Sequence, residues 1–260
     1  FRSAGYGEPV LVGRPERIDA IIKTAGLPED HGFEIHNARL SENNNRYAQA
    51  MYRRLQRKGF LLRDCQRLVN NDRNTFAALM VDQGDADGLV TGVTRSFSRS
   101  LEEVNRVIPT VDETLLFGLS IAVMRGRTVF IADTAVNELP EPEQLVEIAM
   151  QSAAKARQLG HEPRVAFLSF STFGQPLREK AERIREAVTL MDRRPVDFEY
   201  DGEMGADIAL DYDLMKRHYP FCRLTGSANV LVMPSLHAAH IGSRLLQKMG
   251  GTVIGPLVMG

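Results

Sequence analysis

The stretch from Arg164 to Pro176, Arg-Val-Ala-Phe-Leu-Ser-Phe-Ser-Thr-Phe-Gly-Gln-Pro, narrows the possible folds more than any other part of the chain. Val165 to Leu168 form a short unbroken apolar run, the pattern of a strand buried on both faces. Hydroxyls at Ser169, Ser171 and Thr172 follow, then Gly174, and Pro176 opens a helical pattern that runs through Arg183 to Met191. A buried strand that ends in small polar residues and leads into a helix is the unit of an open α/β sheet, which takes its ligands at the carboxyl ends of such strands. The N–H groups and positive end of the helix favour phosphate or carboxylate there. Taken alone, the same residues also make an ordinary capped β–loop–α connection, and that is the simpler reading of this segment.

The rest of the chain repeats the alternation. Strands are expected at Pro9–Gly13, Phe33–His36 and Gly88–Val90, with helices at Pro15–Ala25, Asn43–Lys58, Leu61–Asn70, Asn74–Gln83 and Ser100–Ile108. Pro15 suits the first turn of its helix, and Gly26 and Gly59 suit helix ends. Leu115–Met124 and Thr128–Ala132 flank the short turn Arg125-Gly126 and predict an antiparallel hairpin. Pro142–Leu159 is a long helix with Leu145, Ile148, Ala149, Ser152, Ala153 and Ala156 on one face. Strands at Val196–Tyr200, Asn229–Met233 and Val253–Ile254, a short helix at Gly205–Leu210, and a helix at His237–Met249 with Ser235 as its N-cap complete the pattern. Strands alternating with helices of 10–15 residues predict mixed, mostly parallel α/β sheets with helices on both faces. A boundary is expected near Asn137 to Pro142. It gives one α/β unit over 1–137, a second over 138–252, and a segment, 253–260, crossing back toward the first.

Composition excludes several classes. With 43% hydrophobic and 25% charged residues in 260, the chain is neither disordered nor membrane-like, and no apolar run approaches the roughly 20 residues of a membrane span. A formal net charge of -1 supplies no basic face for nucleic acid. Two isolated cysteines, Cys65 and Cys222, form neither a metal pattern nor a disulfide framework, which fits a reduced, cytoplasmic setting. The chain begins at Phe1 in what reads as a helix end and stops just after an apolar strand. An internal piece of a longer polypeptide is expected.

The motif search removes as much as it adds. His237 and His240 share a helix face but have no acidic or Cys partner nearby, and Asp82, Asp85 and Asp87 lack the closing glutamate of a calcium loop. No glycine-rich nucleotide loop and no Gly-x-Ser-x-Gly elbow is present. The loop Thr91 to Ser100 carries Arg95, Arg99 and several hydroxyls ahead of a helix. Such a loop either holds phosphate by charge-assisted bonds or is simply solvated. Asp133, with Asn137 four residues on, ends a third strand. Three polar strand ends predict one shared cleft.

Six segments resemble phosphate acetyltransferase: Asp85-Ala-Asp-Gly-Leu-Val-Thr-Gly, Phe130-Ile-Ala-Asp-Thr-Ala-Val-Asn, Glu143-Gln-Leu-Val-Glu-Ile-Ala, Glu162-Pro-Arg-Val-Ala-Phe-Leu-Ser-Phe-Ser-Thr, Ala228-Asn-Val-Leu-Val-Met-Pro and Ile254-Gly-Pro-Leu. Their order and spacing hold over nearly the whole chain. The resemblance implies a two-domain α/β fold similar to isocitrate and isopropylmalate dehydrogenases, a cleft that receives coenzyme A and acetyl phosphate, and a homo-oligomer. Where the active enzymes carry His-Ser-Thr-Ala-Asp-Thr-x-Arg, this chain has Arg95-Ser96-Phe97-Ser98-Arg99-Ser100-Leu101-Glu102, so Glu102 stands in place of an arginine. Ser235 and His240 replace the Asp and Asn of Pro-Asp-Leu-x-x-x-Asn, and Phe173-Gly174-Gln175-Pro176 replaces a small polar loop. The family's Ser-Arg-Gly segment would lie beyond Gly260.

With Gly13-Arg-Pro-Glu and Leu40-Ser-Glu-Asn-Asn-Asn-Arg-Tyr, the combination is most similar to the C-terminal domain of hybrid bacterial NADP-dependent malic enzymes. That likeness implies a catalytically silent domain, with no catalytic and no metal-ligating residues of its own. It would bind acetyl-CoA as an allosteric inhibitor of an attached malic enzyme, which decarboxylates malate to pyruvate with NADP and a divalent metal, Mg or Mn. The residues implied for the acetyl-CoA or phosphate cleft are Thr94, Arg95, Ser96, Arg99, Asp133, Asn137, Ser169, Ser171, Thr172, Phe173, Asn229 and Pro234. A working phosphate acetyltransferase, converting acetyl-CoA and phosphate to acetyl phosphate and CoA, is the alternative.

Overall fold

The computed structural model describes residues 1–28, 32–92, 94–111 and 114–260. The chain divides into two compact units, Phe1–Pro109 and Thr110–Gly260.

The first unit is mostly helical. A parallel pair, β1 (Val10–Val12) and β2 (Glu34–His36), flanks α1 (Pro15–Thr24). Pro15 starts that helix, and Gly26 follows its end at φ 70°, a conformation open to glycine without steric cost. Helices α2 (Asn44–Leu55), α3 (Leu62–Asn71), α4 (Arg73–Asp82) and α5 (Phe97–Asn105) follow. Tyr47, Met51 and Leu55 on α2 meet Cys65 and Val69 of α3 and Phe76 and Leu79 of α4 in one dry core. Tyr47 contributes both packing and polarity: its ring lies edge-on to Phe76 at 5.2 Å, and its hydroxyl donates to Asp85. Burial, then the Asp85 contact, push its phenol up to about 12. Gly88–Val90, expected as a strand, joins no ladder. Leu89 packs on the helical core and Val90 projects into solvent, so the apolar run marks a loop that anchors one side chain.

The second unit is a doubly covered sheet in the order β6-β5-β7-β4-β3-β8. Its strands are β3 (Phe117–Met124), β4 (Arg127–Ala132), β5 (Arg164–Leu168), β6 (Glu199–Met204), β7 (Val230–Val232) and β8 (Thr252–Met259). β4, β7, β5 and β6 run parallel, whereas β3 pairs antiparallel with both β4 and β8. Alternation along β5 divides its side chains between two cores. Val165 and Phe167 join Leu145, Ile148 and Ala149 of α6 (Pro142–Gln158) and Ile184 and Met191 of α7 (Glu179–Met191). Ala166 and Leu168 point the other way, toward Ile208 and Ala209 of α8 (Ala206–Leu210) and Met215 of α9 (Tyr212–His218). Each fully buried Leu, Ile or Phe contributes about 1.5–3 kcal/mol of apolar transfer. Helix α10 (Leu236–Lys248) begins at Ser235, whose hydroxyl accepts the Ala238 N–H, as its residue type predicts.

Four expectations are corrected. The boundary expected near Asn137 lies inside the second unit, because β4 pairs with β7 and draws the β3–β4 hairpin into that sheet. Residues 253–260 return to pair along β3 as part of β8, but β3 itself belongs to the second unit, so the segment stays in that unit. The strand expected at Val196–Tyr200 instead runs from Glu199 to Met204, because the partner β5 sets the register from Arg164↔Glu199 onward. The helix expected from Pro176 starts at Glu179, where Glu179 and Glu182 supply the first-turn negative charge that a helix N-terminus favours.

Candidate functional site

Parallel pairing brings the carboxyl ends of β4, β5, β6 and β7 to one edge of the second unit. The loop after β5 is built around a carboxylate that sequence reasoning passed over, Glu203 at the end of β6, which is 1% exposed. Its Oε1 accepts from Ser171 Oγ at 2.7 Å, from Gly174 N at 2.9 Å and from Arg185 Nη1 at 3.1 Å, while Oε2 is buried with no hydrogen-bond partner among the described residues. Phe173 N donates to the Glu203 carbonyl at 2.8 Å, and Gly205 N donates to Thr172 Oγ1 at 3.0 Å. Ser169 is only partly buried; its Oγ lies 3.4 Å from Ser171 Oγ and accepts the Ser171 N–H at 3.3 Å. Phe173 sits at φ 47°, a left-handed conformation that costs a bulky residue on the order of 1–3 kcal/mol. Its ring packs against Tyr219 at 5.3 Å and Phe221 at 4.9 Å, which offsets part of that strain.

Asp133, at the end of β4, is occupied by the backbone. Its carboxylate accepts from the N–H groups of Gly118, Ala135, Val136 and Asn137, at 2.6 to 3.1 Å, and from Asn137 Nδ2 at 2.7 Å. Asn137 Nδ2 also donates to Leu116 O. These two residues staple the strand end to β3. Pro234, after β7, accepts from Arg183 Nη2 through its carbonyl at 2.7 Å. Asn229 lies elsewhere: it precedes β7, accepts from Arg164 N and donates to Glu162 O, so it fixes the amino-terminal edge of the sheet. Among the described residues, no three His, Cys, Asp or Glu side chains group as a metal site. Both thiols are pushed up by burial, Cys222 to about 11, so neither is an activated nucleophile.

In the first unit, Arg95 and Arg99 meet carboxylates of their own chain. Arg95 pairs with both Asp72 and Glu103, and Arg99 Nε pairs with Glu103 at 2.5 Å. Asp72 also caps α4, accepting from Thr75 N at 2.7 Å, and Asn74 Nδ2 donates to Glu103 at 2.8 Å. Burial raises the pKa of Asp72 and Glu103. The donors around them outweigh it: Thr75 N–H and then Arg95 for Asp72, Arg95, Arg99 and Asn74 for Glu103. Both acids end below the usual carboxylate range. Thr94 is exposed, and Ser96 serves as N-cap of α5 for the Arg99 N–H. Glu102, the charge inversion noted in the sequence, pairs with Arg106 one turn on. Two guanidinium groups therefore face two carboxylates, and the charge available to a phosphate is small.

A profile described as phosphate acetyl/butaryl transferase matches residues 1–260. The chain belongs to this family. Among its relatives, the NADP-dependent malic enzyme of Rhizobium meliloti (strain 1021) is 54% identical over the whole of this chain. The phosphate acetyltransferase of Bacillus subtilis (strain 168) is 32% identical over 97% of this chain and 78% of its own. The chain spans about a third of the length of the malic enzymes it matches, 34% for the Rhizobium protein. Solved phosphotransacetylases share the fold: that of Streptococcus pyogenes aligns at a TM-score of 0.87, with 27% identity over 97% of this chain and 77% of its own. The EutD phosphotransacetylase of Staphylococcus aureus aligns at 0.82, with 29% identity over 98% and 78%.

In this member of the phosphate acetyl/butaryl transferase family, Asp72, Glu103, Arg185 and Glu203 are the groups around the candidate loops that sequence reasoning missed. The expected β6 stopped at Tyr200, so Glu203 was never placed beside the β5 loop. The Asp201-Gly-Glu203 run after an apolar segment was the available signal.

Proposed function

We propose that the chain is a non-catalytic acetyl-CoA-binding domain at the C-terminus of an NADP-dependent malic enzyme, and that acetyl-CoA binding inhibits malate decarboxylation to pyruvate. The observation that carries this reading is the pairing of Arg95 and Arg99 with Asp72 and Glu103 on a chain that has the phosphotransacetylase fold. An acyl-transfer site needs cations free to hold a phosphate as charge develops. A binding site for a large thioester nucleotide needs less, because apolar contacts and backbone donors supply much of its affinity. The 54% identity to a malic enzyme supports the context. Pyruvate and reduced NADP lie upstream of acetyl-CoA, so inhibition by acetyl-CoA is feedback. In this reading the β5 loop contributes Ser169 and the exposed ring of Phe170, NADP and the divalent metal are held by the malic enzyme portion, and the assembly is a cytoplasmic homo-oligomer.

The second reading, a working phosphate acetyltransferase, is favoured by the 32% identity to the Bacillus enzyme over most of its length. Calorimetric titration of the chain with acetyl-CoA, alongside arsenate-dependent release of CoA, separates them. Binding without turnover is expected. No heat up to millimolar acetyl-CoA ends the sensor reading, and turnover at rates of about 1 per second or more transfers the chain to the enzyme class.

A further inference from the structure

The first unit holds a second cationic feature, remote in sequence from the Arg95 loop and unused by the proposed function. Between Arg53 and Arg67 the chain carries six cations, Arg53, Arg54, Arg57, Lys58, Arg63 and Arg67, against one acid, Asp64, in a protein of net charge -1. Arg54 is turned away to Asp82 at 3.0 Å. The remainder surround the connection between α2 and α3, where a cavity of about 380 Å³ opens, lined by Lys58, Phe60, Asp64, Arg67, Leu68 and Arg106.

Three properties of this cavity point to a ligand. Two of its cations are open to a ligand: Lys58 is exposed, and Arg67, 74% exposed, reaches Asp64 only at 3.7 Å, while Asp64 is already engaged in accepting the Leu61 N–H; Arg106 is paired with Glu102. Its floor is apolar and half buried, formed by the Phe60 ring and Leu68. It is an open depression rather than an enclosed pocket, with room of about 380 Å³ for one face of a small organic molecule. A cation set beside an aromatic face selects a compound anion, with charge for the guanidinium and ammonium groups and a flat ring for Phe60.

We infer that the cavity between Lys58, Phe60, Arg67 and Arg106 binds a small organic phosphate of the nucleoside diphosphate class, separately from any acetyl-CoA site. The phosphates meet Lys58 and Arg67, and the base lies against Phe60. The site stands whether or not acetyl-CoA binds elsewhere, since none of these residues belongs to the proposed acetyl-CoA contacts.

The experiment is calorimetric titration of the chain with ADP and with inorganic pyrophosphate, at about 0.05 M and about 0.15 M salt. Both probes bind, ADP more tightly because only it can use Phe60, and the added salt weakens both several-fold by screening. The double charge reversal Lys58→Glu with Arg67→Glu, at exposed positions that carry no core packing, loses at least tenfold in ADP affinity with an unchanged circular dichroism spectrum. Phe60→Leu lowers the affinity for ADP and leaves pyrophosphate as it was. ADP binding that survives the double reversal, or no ADP binding to the native chain at millimolar concentration, overturns the inference. Acetyl-CoA titrated into the native chain reports separately on the proposed regulatory function: ADP binding without acetyl-CoA binding removes that function and leaves this site standing.

Discussion

Two glutamates, one in each unit, are equally buried at 1% exposure and do opposite things. Glu103 has both oxygens engaged, by Arg95, Arg99 and Asn74, and so consumes the cations that an anion would otherwise meet. Glu203 gathers a hydroxyl, a backbone N–H and a guanidinium on one oxygen and leaves the other without a partner among the described residues. A buried carboxylate costs several kcal/mol to desolvate unless donors surround it. Glu103 meets that requirement on both oxygens and Glu203 on one. Glu103 meets it with charge, which neutralises a loop; Glu203 meets it largely with neutral donors, which order a loop. The same side chain thus pairs with the cations of one candidate loop and shapes the other.

The largest effect should come from breaking the ordering role. Glu203→Ala leaves Ser171 Oγ and Gly174 N without their acceptor and Arg185 with Glu182 alone, and should cost on the order of 3 kcal/mol. A urea titration reads this as a lower midpoint at unchanged slope, and a cost below about 1 kcal/mol would show that the β5 loop is not held by this carboxylate. Next is the neutralising role. Glu103→Gln keeps the shape, frees Arg99 and leaves Arg95 with Asp72 alone, so affinity for acetyl-CoA should rise about tenfold, equivalent to ~1.4 kcal/mol. Glu203→Gln should bring no such gain, and equal responses at the two sites would erase the distinction.

Acid titration sharpens the same contrast. Asp72 and Glu103 have native pKa values below their unfolded ones, so the stability they confer is complete above the ordinary carboxylate range and is lost as pH falls through the depressed native values. The Glu103→Gln variant should therefore show a shallower loss of stability with acid than the native chain, measured by thermal unfolding in steps below neutrality. Parallel curves would place the acid-sensitive groups elsewhere. Smallest is Ser171→Ala, which removes one donor from a carboxylate that retains two others. It should cost about 1 kcal/mol, and a loss comparable to that of Glu203→Ala would make the serine rather than the acid the centre of the loop.

Much of this was legible from residue order alone. The long helix beginning at Pro142, the β5 strand and its hydroxyl loop, the hairpin around Arg125-Gly126 and the Ser235 cap all lie where periodicity and capping chemistry put them. The candidate site was read less well. Asp133 and Asn137 read in sequence as free polar strand-end residues, but in the structure Asp133 accepts backbone N–H groups and Asn137 donates to Asp133 and Leu116 O. Asn229 was chosen by likeness, and it stands at the opposite edge of the sheet from Asp133 and Ser169. A polar residue after a strand looks the same in sequence whether it awaits a ligand or satisfies the backbone. The strand expected at Gly88–Val90 failed for a related reason: a short apolar run does not reveal whether a neighbouring strand exists to pair with it.

What the sequence settled alone are the properties that repeat locally: the alternation of strand and helix, the two thiols without a motif, and the segments that mark the family. Only the tertiary structure decided which charges cancel. Arg95 meets Asp72 across 23 residues, and Ser171 meets Glu203 across 32. Local spacing orders side chains on one helix or strand face, but a pairing over such separations depends on how the elements pack, and packing decided that one buried carboxylate masks two arginines while the other holds a loop in shape.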